Sequence, residues 1–380
     1  MRWDSMRLTG DAGGNGQSPP ALFDRSAVSR TFDTPGFRGI TFHEIHARTI
    51  ISRVPEVSRV PFKWTINPYR GCSHSCRYCF ARNTHTYLDF DAGRDFDSQI
   101  VVKVNAPALV RKELAAPRWQ GEHIAMGTNV DCYQRAEGRY ELMPGIIRAL
   151  TQTANPFSIL TKGTLILRDM DLLAAAAEVT DVGLNVSVGF VDKELSRLIE
   201  SGAPAPERRL AVCAALNERG LPCGVLMGPI VPFLSDSPAQ LEQSVRQIAA
   251  AGATHVSPIV LHLRTGAREW FLRWLRERHP ELVQPYAELY GRGAYAPAAY
   301  QRQLGDRVAE LAREYGIGRA TPRQARKLPA SRGRRWPPGL GPADNTEPTG
   351  SGATEDGRTA SRAPGNGEDD DPGEVQLALL

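Results

Sequence analysis

The feature that most narrows the fold of this chain is a repeated alternation. Short apolar, β-branched runs fall at Trp64–Asn67, Ile124–Val130, Phe157–Lys162, Val182–Val188, Gly224–Val231 and His255–Leu263. Helical periodicity fills the gaps over Ala106–Ala115, Pro144–Ala154, Met170–Val179, Lys193–Glu200, Glu207–Glu218, Ala239–Ala251 and Arg268–Arg278. Asp169 and Ser237 stand where N-caps belong, and Gly220 and Gly252 stand just past helix C-termini. Strands recurring about every 25–40 residues have the spacing of βαβ units, which predicts an α/β fold with a mostly parallel sheet. Six such units suit a partial barrel or an open doubly wound sheet.

The ends of the chain read differently. Residues 9–20 (TGDAGGNGQSPP) hold too little apolar content to pack, and from Arg326 the chain turns basic and Pro/Gly-rich, then acidic. Such composition cannot offset the entropy of ordering, so both ends are predicted disordered. The expected organisation is an N-terminal extension over 1–44, partly disordered, a barrel over 45–290, a helical extension over 291–325 and a basic-then-acidic tail over 326–380. Residues 341–380 carry nine acids and two arginines, so the overall charge of +4 separates into +11 on the first 340 residues and −7 on the tail. A basic body attracts a polyanion such as nucleic acid, or only keeps a protein soluble. No apolar run of membrane-spanning length and no secretory h-region occurs, so a cytoplasmic protein without a membrane partner is expected.

In a reducing compartment the six cysteines mark a metal site or reactive thiols rather than a disulfide framework. Cys72, Cys76 and Cys79 form C-x3-C-x2-C directly after the first predicted strand. Free thiols need no such clustering. Structural zinc takes four protein ligands, and the fourth would have to be His74, His85 or Cys132. A [4Fe–4S] cluster wants one ligand per iron, so three cysteines leave one iron open to the amino and carboxylate groups of a small molecule.

The motif CxxxCxxC, with Tyr78 just before its last cysteine, resembles that of the radical S-adenosylmethionine (radical SAM) superfamily. Further segments resemble its group related to spore photoproduct lyase, the DNA repair photolyase-like proteins. They are the lead-in SRVPFKWTINPYRGCSHSCRYCFAR, the segment MGTNVDCYQRAE (Met126–Glu137), ILTKG (Ile159–Gly163) and the stretch from Pro206 to Asp236. The resemblance covers roughly residues 45–290 and implies a partial (β/α)6 TIM-like barrel of the radical SAM type. It implies a [4Fe–4S] cluster on Cys72, Cys76 and Cys79, and S-adenosylmethionine (SAM) cleaved reductively to a 5′-deoxyadenosyl radical that takes hydrogen from a substrate.

By position, the resemblance places Thr128 and neighbouring backbone carbonyls at the SAM ammonium, and Lys162, with Arg209 as a second candidate, at its carboxylate. Ser187 or Asn185 is placed at the ribose and Phe80 at the adenine. Spore photoproduct lyase returns hydrogen from a strand-two cysteine, whose aligned position here is Thr128. Cys132, an even step further on, is the remaining candidate for that role and is equally readable as a small buried residue. Asp131 and Glu137 read as substrate-side groups or as structural acceptors, Cys213 and Cys223 as core, and Trp270, Phe271 and Trp274 as core at helical spacing. The expected partner is an electron donor of the flavodoxin or ferredoxin type. A nucleic-acid lesion is the candidate substrate. A nonenzymatic iron–sulfur or zinc protein that binds nucleic acid is the alternative.

Overall fold

All six apolar runs become strands of one parallel sheet. A computed structural model of the chain describes residues 6–7, 27–55, 58 and 60–317. The segment 9–20 and the tail 326–380 lie outside the described residues. The barrel strands are β1 (Trp64–Ile66), β2 (Ile124–Met126), β3 (Phe157–Thr161), β4 (Val182–Ser187), β5 (Cys223–Ile230) and β6 (Val256–Val260). They pair in sequential order, each parallel to the next, and a short antiparallel strand, Ile51–Arg53, closes the β1 edge. Sequential parallel order is what right-handed βαβ crossovers build when every helix lies on one side, and the open doubly wound alternative is thereby set aside.

The helices are α1 (Ala106–Leu114), α2 (Leu142–Gln152), α3 (Met170–Val179), α4 (Lys193–Ile199), α5 (Pro206–Glu218), α6 (Pro238–Ala250), α7 (Ala267–Arg278), α8 (Val283–Tyr290) and α9 (Ala298–Glu314). Ser237 caps α6 in a reciprocal box with Gln240, and Asp192 accepts from two amides of α4. Asp169 precedes α3 as expected but makes no cap bond. Its carboxylate accepts instead from Tyr133 and Arg168. Gly220 and Gly252 take the expected left-handed conformation, with φ of +79° and +68°.

Two features go beyond the sequence reading. A second sheet, unpredicted, joins Val28–Thr31 and Thr41–Ala47 to Gln99–Lys103, so residues before β1 pair with the crossover that follows the cysteines. The strand Thr41–Ala47 runs across position 44, where the N-terminal extension was expected to end. Within the extension expected over 291–325, α9 is helical and residues 318–325 lie outside the described residues; α8 falls before it, and α9 packs on α6 and β6, supplying the outer cover of the last strand. Among the described residues no helix is long and apolar enough to cross a membrane.

Strand β2 stops at Met126, short of the expected Val130. Gly127 has a φ of +77°, and a Cβ there would lie 1.8 Å from the carbonyl oxygen of Leu160. The chain therefore leaves the sheet at Gly127, and residues 128–136 form a loop over the barrel mouth.

Candidate functional site

The cysteine loop leaves β1 and crosses the mouth of the barrel, and neighbouring elements hold it from several sides. Gln134, from the loop after β2, accepts from the Ser73 amide (3.0 Å) and donates to the Gly71 carbonyl (2.9 Å). The Cys72 amide donates to the Phe96 carbonyl, and the Arg82 Nε donates to the Cys76 carbonyl. From the end of α4, the Ile199 carbonyl accepts from the Arg77 amide, and Cys76 forms an isolated β-bridge with Glu200. At Gly71, with a φ of +82°, a Cβ would lie 2.8 Å from the Gln99 carbonyl oxygen, so only glycine lets the loop press against that strand.

Cys72, Cys76 and Cys79 all line one cleft of about 220 Å³ at the mouth. Its other walls include Gly127, Thr128 and Asp131 after β2, Leu160 on β3 and Lys162 just past its end, Ser187 on β4, Leu226 and Gly228 on β5, and Phe80 and His262. Leu160 and Lys162, like Leu226 and Gly228, are an even step apart, as the period of two in a strand requires for one face. Burial pushes the Cys76 thiol up to about 12 against the pull of Lys162, and burial also raises Cys72 and Cys79. Thiols in such a place stay protonated until a metal displaces the protons.

Lys162 is the cation of the cleft. Its Nζ donates to Ser187 Oγ at 2.6 Å, lies 3.7 Å from Glu200 Oε1 and sits 5.9 Å from the Tyr78 ring centroid. Ser187 in turn donates to the Gly228 carbonyl at 3.0 Å. Burial raises the Glu200 pKa, but Arg209 and Lys162 outweigh it and hold this carboxylate at about 2. Asp131 is likewise held at about 2. There burial is outweighed by His74, 3.3 Å away, and by donation from the Lys162 amide and the Thr161 hydroxyl, both at 2.7 Å. Thr128 Oγ1 lies 3.4 Å from Thr65 Oγ1.

Several expected site residues are thus brought together: the three cysteines, Phe80, Thr128, Lys162 and Ser187. Three are not. Arg209 is 1% exposed and does not line the cleft. Its guanidinium donates to Glu200, to the Ser187 and Pro204 carbonyls and to the Ser196 hydroxyl, so four of its five N–H groups are spent within the protein. Asn185 is buried lower in the barrel, bonded to His255 at 2.8 Å. Cys132, expected as hydrogen donor, is 0% exposed in the main core and does not line the cleft. The even-step argument fails for it because β2 has already ended at Met126.

Glu137 is structural, accepting from the first two amides of α2 and from Arg168. Cys213, Cys223 and Phe271 are core residues, whereas Trp270 and the mostly buried Trp274 line a second cavity. Sequence reasoning missed Glu200, Gln134 and His262. Gln134 lay inside a quoted motif, but nothing in the pattern around Glu200 or His262 marks them.

The zinc geometry is not supported by the donors proposed for it. His74 contacts Asp131 at 3.3 Å, His85 bonds the Gln99 carbonyl and Cys132 is in the core.

The Radical SAM superfamily model matches residues 66–256. An uncharacterized protein of Mycobacterium tuberculosis is 50% identical over 319 residues, covering 83% of this chain and 93% of that protein. One of Methanocaldococcus jannaschii is 32% identical over 174 residues, 46% of this chain and 62% of that protein. Among solved structures, spore photoproduct lyase complexed with dinucleoside spore photoproduct superposes with a TM-score of 0.55 at 16% identity, over 73% of this chain and 80% of that one. A variant of that lyase with bound AdoMet and the same dinucleoside gives 0.51 at 16% identity, over 68% and 75%. The fold and its cysteine loop are those of a radical SAM barrel, and the chain belongs to the radical SAM superfamily.

The family implies a [4Fe–4S] cluster and AdoMet. The donor set fits: two buried thiols, Cys72 and Cys76, and the half-buried Cys79 line one cleft beside a lysine, with no carboxylate in the loop to compete for a thiophilic metal.

Proposed function

We propose that this protein is a radical SAM enzyme whose cluster is held by Cys72, Cys76 and Cys79, with one iron left open to SAM. The observation that carries this reading is the convergence of those three thiols with Lys162 and Thr128 on a single cleft. When bound, the cluster supplies the electron that splits SAM into methionine and a 5′-deoxyadenosyl radical able to abstract hydrogen from a substrate.

The chain's own residues bind and orient. Lys162, locked by Ser187 and Glu200, offers a fixed cation to the SAM carboxylate. Thr128 and the carbonyls exposed where β2 ends accept from the SAM ammonium. Ser187 stands at the ribose and Phe80 at the adenine. The apolar walls Leu160, Leu226 and Ile259 keep the reacting carbon close and water out.

A nucleic-acid lesion is the proposed substrate class. The solved lyase structures carry a dinucleoside photoproduct, and the rim of the cleft here bears a stacking set. The Arg264 guanidinium lies 5.8 Å from the Tyr295 ring, which is exposed at 38%. Unpaired bases stack on such rings and cations. With Cys132 in the core, the lyase's return of hydrogen from cysteine is not part of the proposal.

Anaerobic reconstitution tests the enzyme reading. The protein should take up about four irons per chain and, with dithionite and SAM, release 5′-deoxyadenosine. A fully loaded protein that releases none overturns it.

A further inference from the structure

The cleft at the barrel mouth has two unlike halves. The half built by the cysteine loop and β1 to β4 holds the cation and the carboxylate, and both are committed within the protein. Lys162 is engaged by Ser187 and Glu200, and Asp131 by His74, Thr161 and the Lys162 amide. The half built by β5, β6 and the turn after β6 presents Leu226, Gly228, Pro229, Ile259, Val260 and Leu261. Among the described lining residues on that side, His262 alone has a polar side chain.

Neighbouring groups set the His262 ring in place. It meets the Tyr295 ring edge-on, at a centroid distance of 4.6 Å. Tyr295 is itself held, its hydroxyl accepting from Arg264 at 2.7 Å. The turn that carries it is tied to the end of β6, where the Leu263 amide donates to the Ala294 carbonyl at 2.8 Å. Arg268 donates to the Gly291 and Gly293 carbonyls of the same turn, both at 2.6 Å. Burial, aided by the Arg264 cation, holds the imidazole down to about 4, so at neutral pH the ring is uncharged. An uncharged imidazole carries one N–H donor and one accepting nitrogen. Such a ring brings no charge to a phosphate, but it can donate to a base carbonyl or accept from a base N–H. A flat apolar wall with one placed polar group is how a pocket selects an uncharged ring by its edge.

We propose that His262 is the specificity-determining residue of the cleft, reading the hydrogen-bonding edge of a nucleobase whose ring lies on the Leu226–Ile259 wall. This inference rests on the proposed function and narrows it: the cleft selects the base, while the sugar and phosphate stay outside. The division of the walls gives each half one task. The polar half holds the cofactor, and the apolar half holds the unit that loses hydrogen. His262 then fixes how that unit is turned.

Two single strands of DNA test this, one of mixed sequence and one abasic strand of the same length. Each is titrated against the reconstituted protein and the apoprotein. The wild type should bind the base-bearing strand about tenfold more tightly than the abasic one. His262→Leu keeps an apolar side chain of similar size and removes both ring nitrogens. It should bind the base-bearing strand about tenfold more weakly than wild type and the abasic strand equally well. His262→Gln, which keeps a donor and an acceptor, should recover most of the loss. A wild type that binds both strands alike overturns the inference. So does a leucine variant that weakens both strands equally, because His262 would then only support the fold, and so does a glutamine variant as weak as the leucine one. A wild type that binds neither strand would sink the nucleic-acid reading along with it. Failure to release 5′-deoxyadenosine with dithionite and SAM would sink the enzyme reading instead, while the apoprotein titration still reads the base preference.

Discussion

The backbone of Cys76 pairs with that of Glu200, and this bridge joins the middle cysteine to the end of α4. The Glu200 side chain then meets Tyr78, Lys162 and Arg209. One buried carboxylate thus fixes the loop, the cation of the cleft and a guanidinium that has no other counter-charge in contact.

Glu200→Gln keeps the shape of that side chain and removes its charge. It leaves the Arg209 guanidinium buried and unpaired, at a cost of about 3–5 kcal/mol. Urea unfolding of the apoprotein should show the loss, and adding R209M to the Glu200→Gln chain should recover part of it. Equal stability of Glu200→Gln and wild type would show that the pair carries no such weight.

Lys162→Met removes the cation and keeps most of the stem. Iron content after reconstitution should be unchanged, while SAM affinity falls about tenfold or more, the loss of one charge-assisted contact. Equilibrium binding of SAM to the loaded protein reads this directly. Wild-type affinity would move the carboxylate site elsewhere.

The six cysteines should divide sharply on substitution. Cys76→Ala should abolish cluster loading. Cys132→Ala should load iron normally and release 5′-deoxyadenosine within about twofold of wild type, since a small buried thiol behaves as an apolar filler. A loaded Cys132→Ala protein that forms 5′-deoxyadenosine but no longer completes turnover on a substrate would restore the hydrogen-donor role that burial argues against.

Acid should weaken the fold below neutrality. Burial holds His255, packed against Asn185, down to about 4, against about 6.5 in an unfolded chain. Above pH 6.5 the ring is neutral in both states and the stability is complete. As the pH falls from 6.5 to 4 the unfolded chain takes up a proton that the folded one refuses, so stability falls by up to about 3 kcal/mol. Burial lowers His85 and His262 in the same direction. Denaturation midpoints of the apoprotein at pH 7 and pH 5 should differ, and His255→Gln should reduce the difference. An unchanged difference in that variant would place the proton uptake elsewhere.

The barrel was legible because the strands are largely apolar runs, buried on both faces through most of β2 to β5, bounded by caps and glycines such as Ser237 and Gly252. The cysteine loop was legible from spacing alone. What stayed hidden depends on contacts distant in sequence. Thr41–Ala47 mixes His43, Glu44 and His46 among its apolar residues, and its pairing with Gln99–Lys103 spans the whole cysteine segment. Arg209 looked like a ligand because the resemblance set it at the start of a helix after β4, and only the fold shows that its guanidinium is held by Glu200. Cys132 looked inward because alternation was carried past Gly127, where the strand had already turned.

The cover that α9 lays over β6 decides where this polypeptide can be cut. Leu304, Val308, Leu311 and Ala312 are buried on that helix, and each of the larger side chains contributes about 1.5–3 kcal/mol when fully buried. A fragment ending near residue 290 would keep every cleft residue named above and lose that cover. The bared flank of the last strand would be a sticky, aggregation-prone surface. Protease trimming or domain excision should therefore spare the chain through Ile317, well past the last residue of the family match.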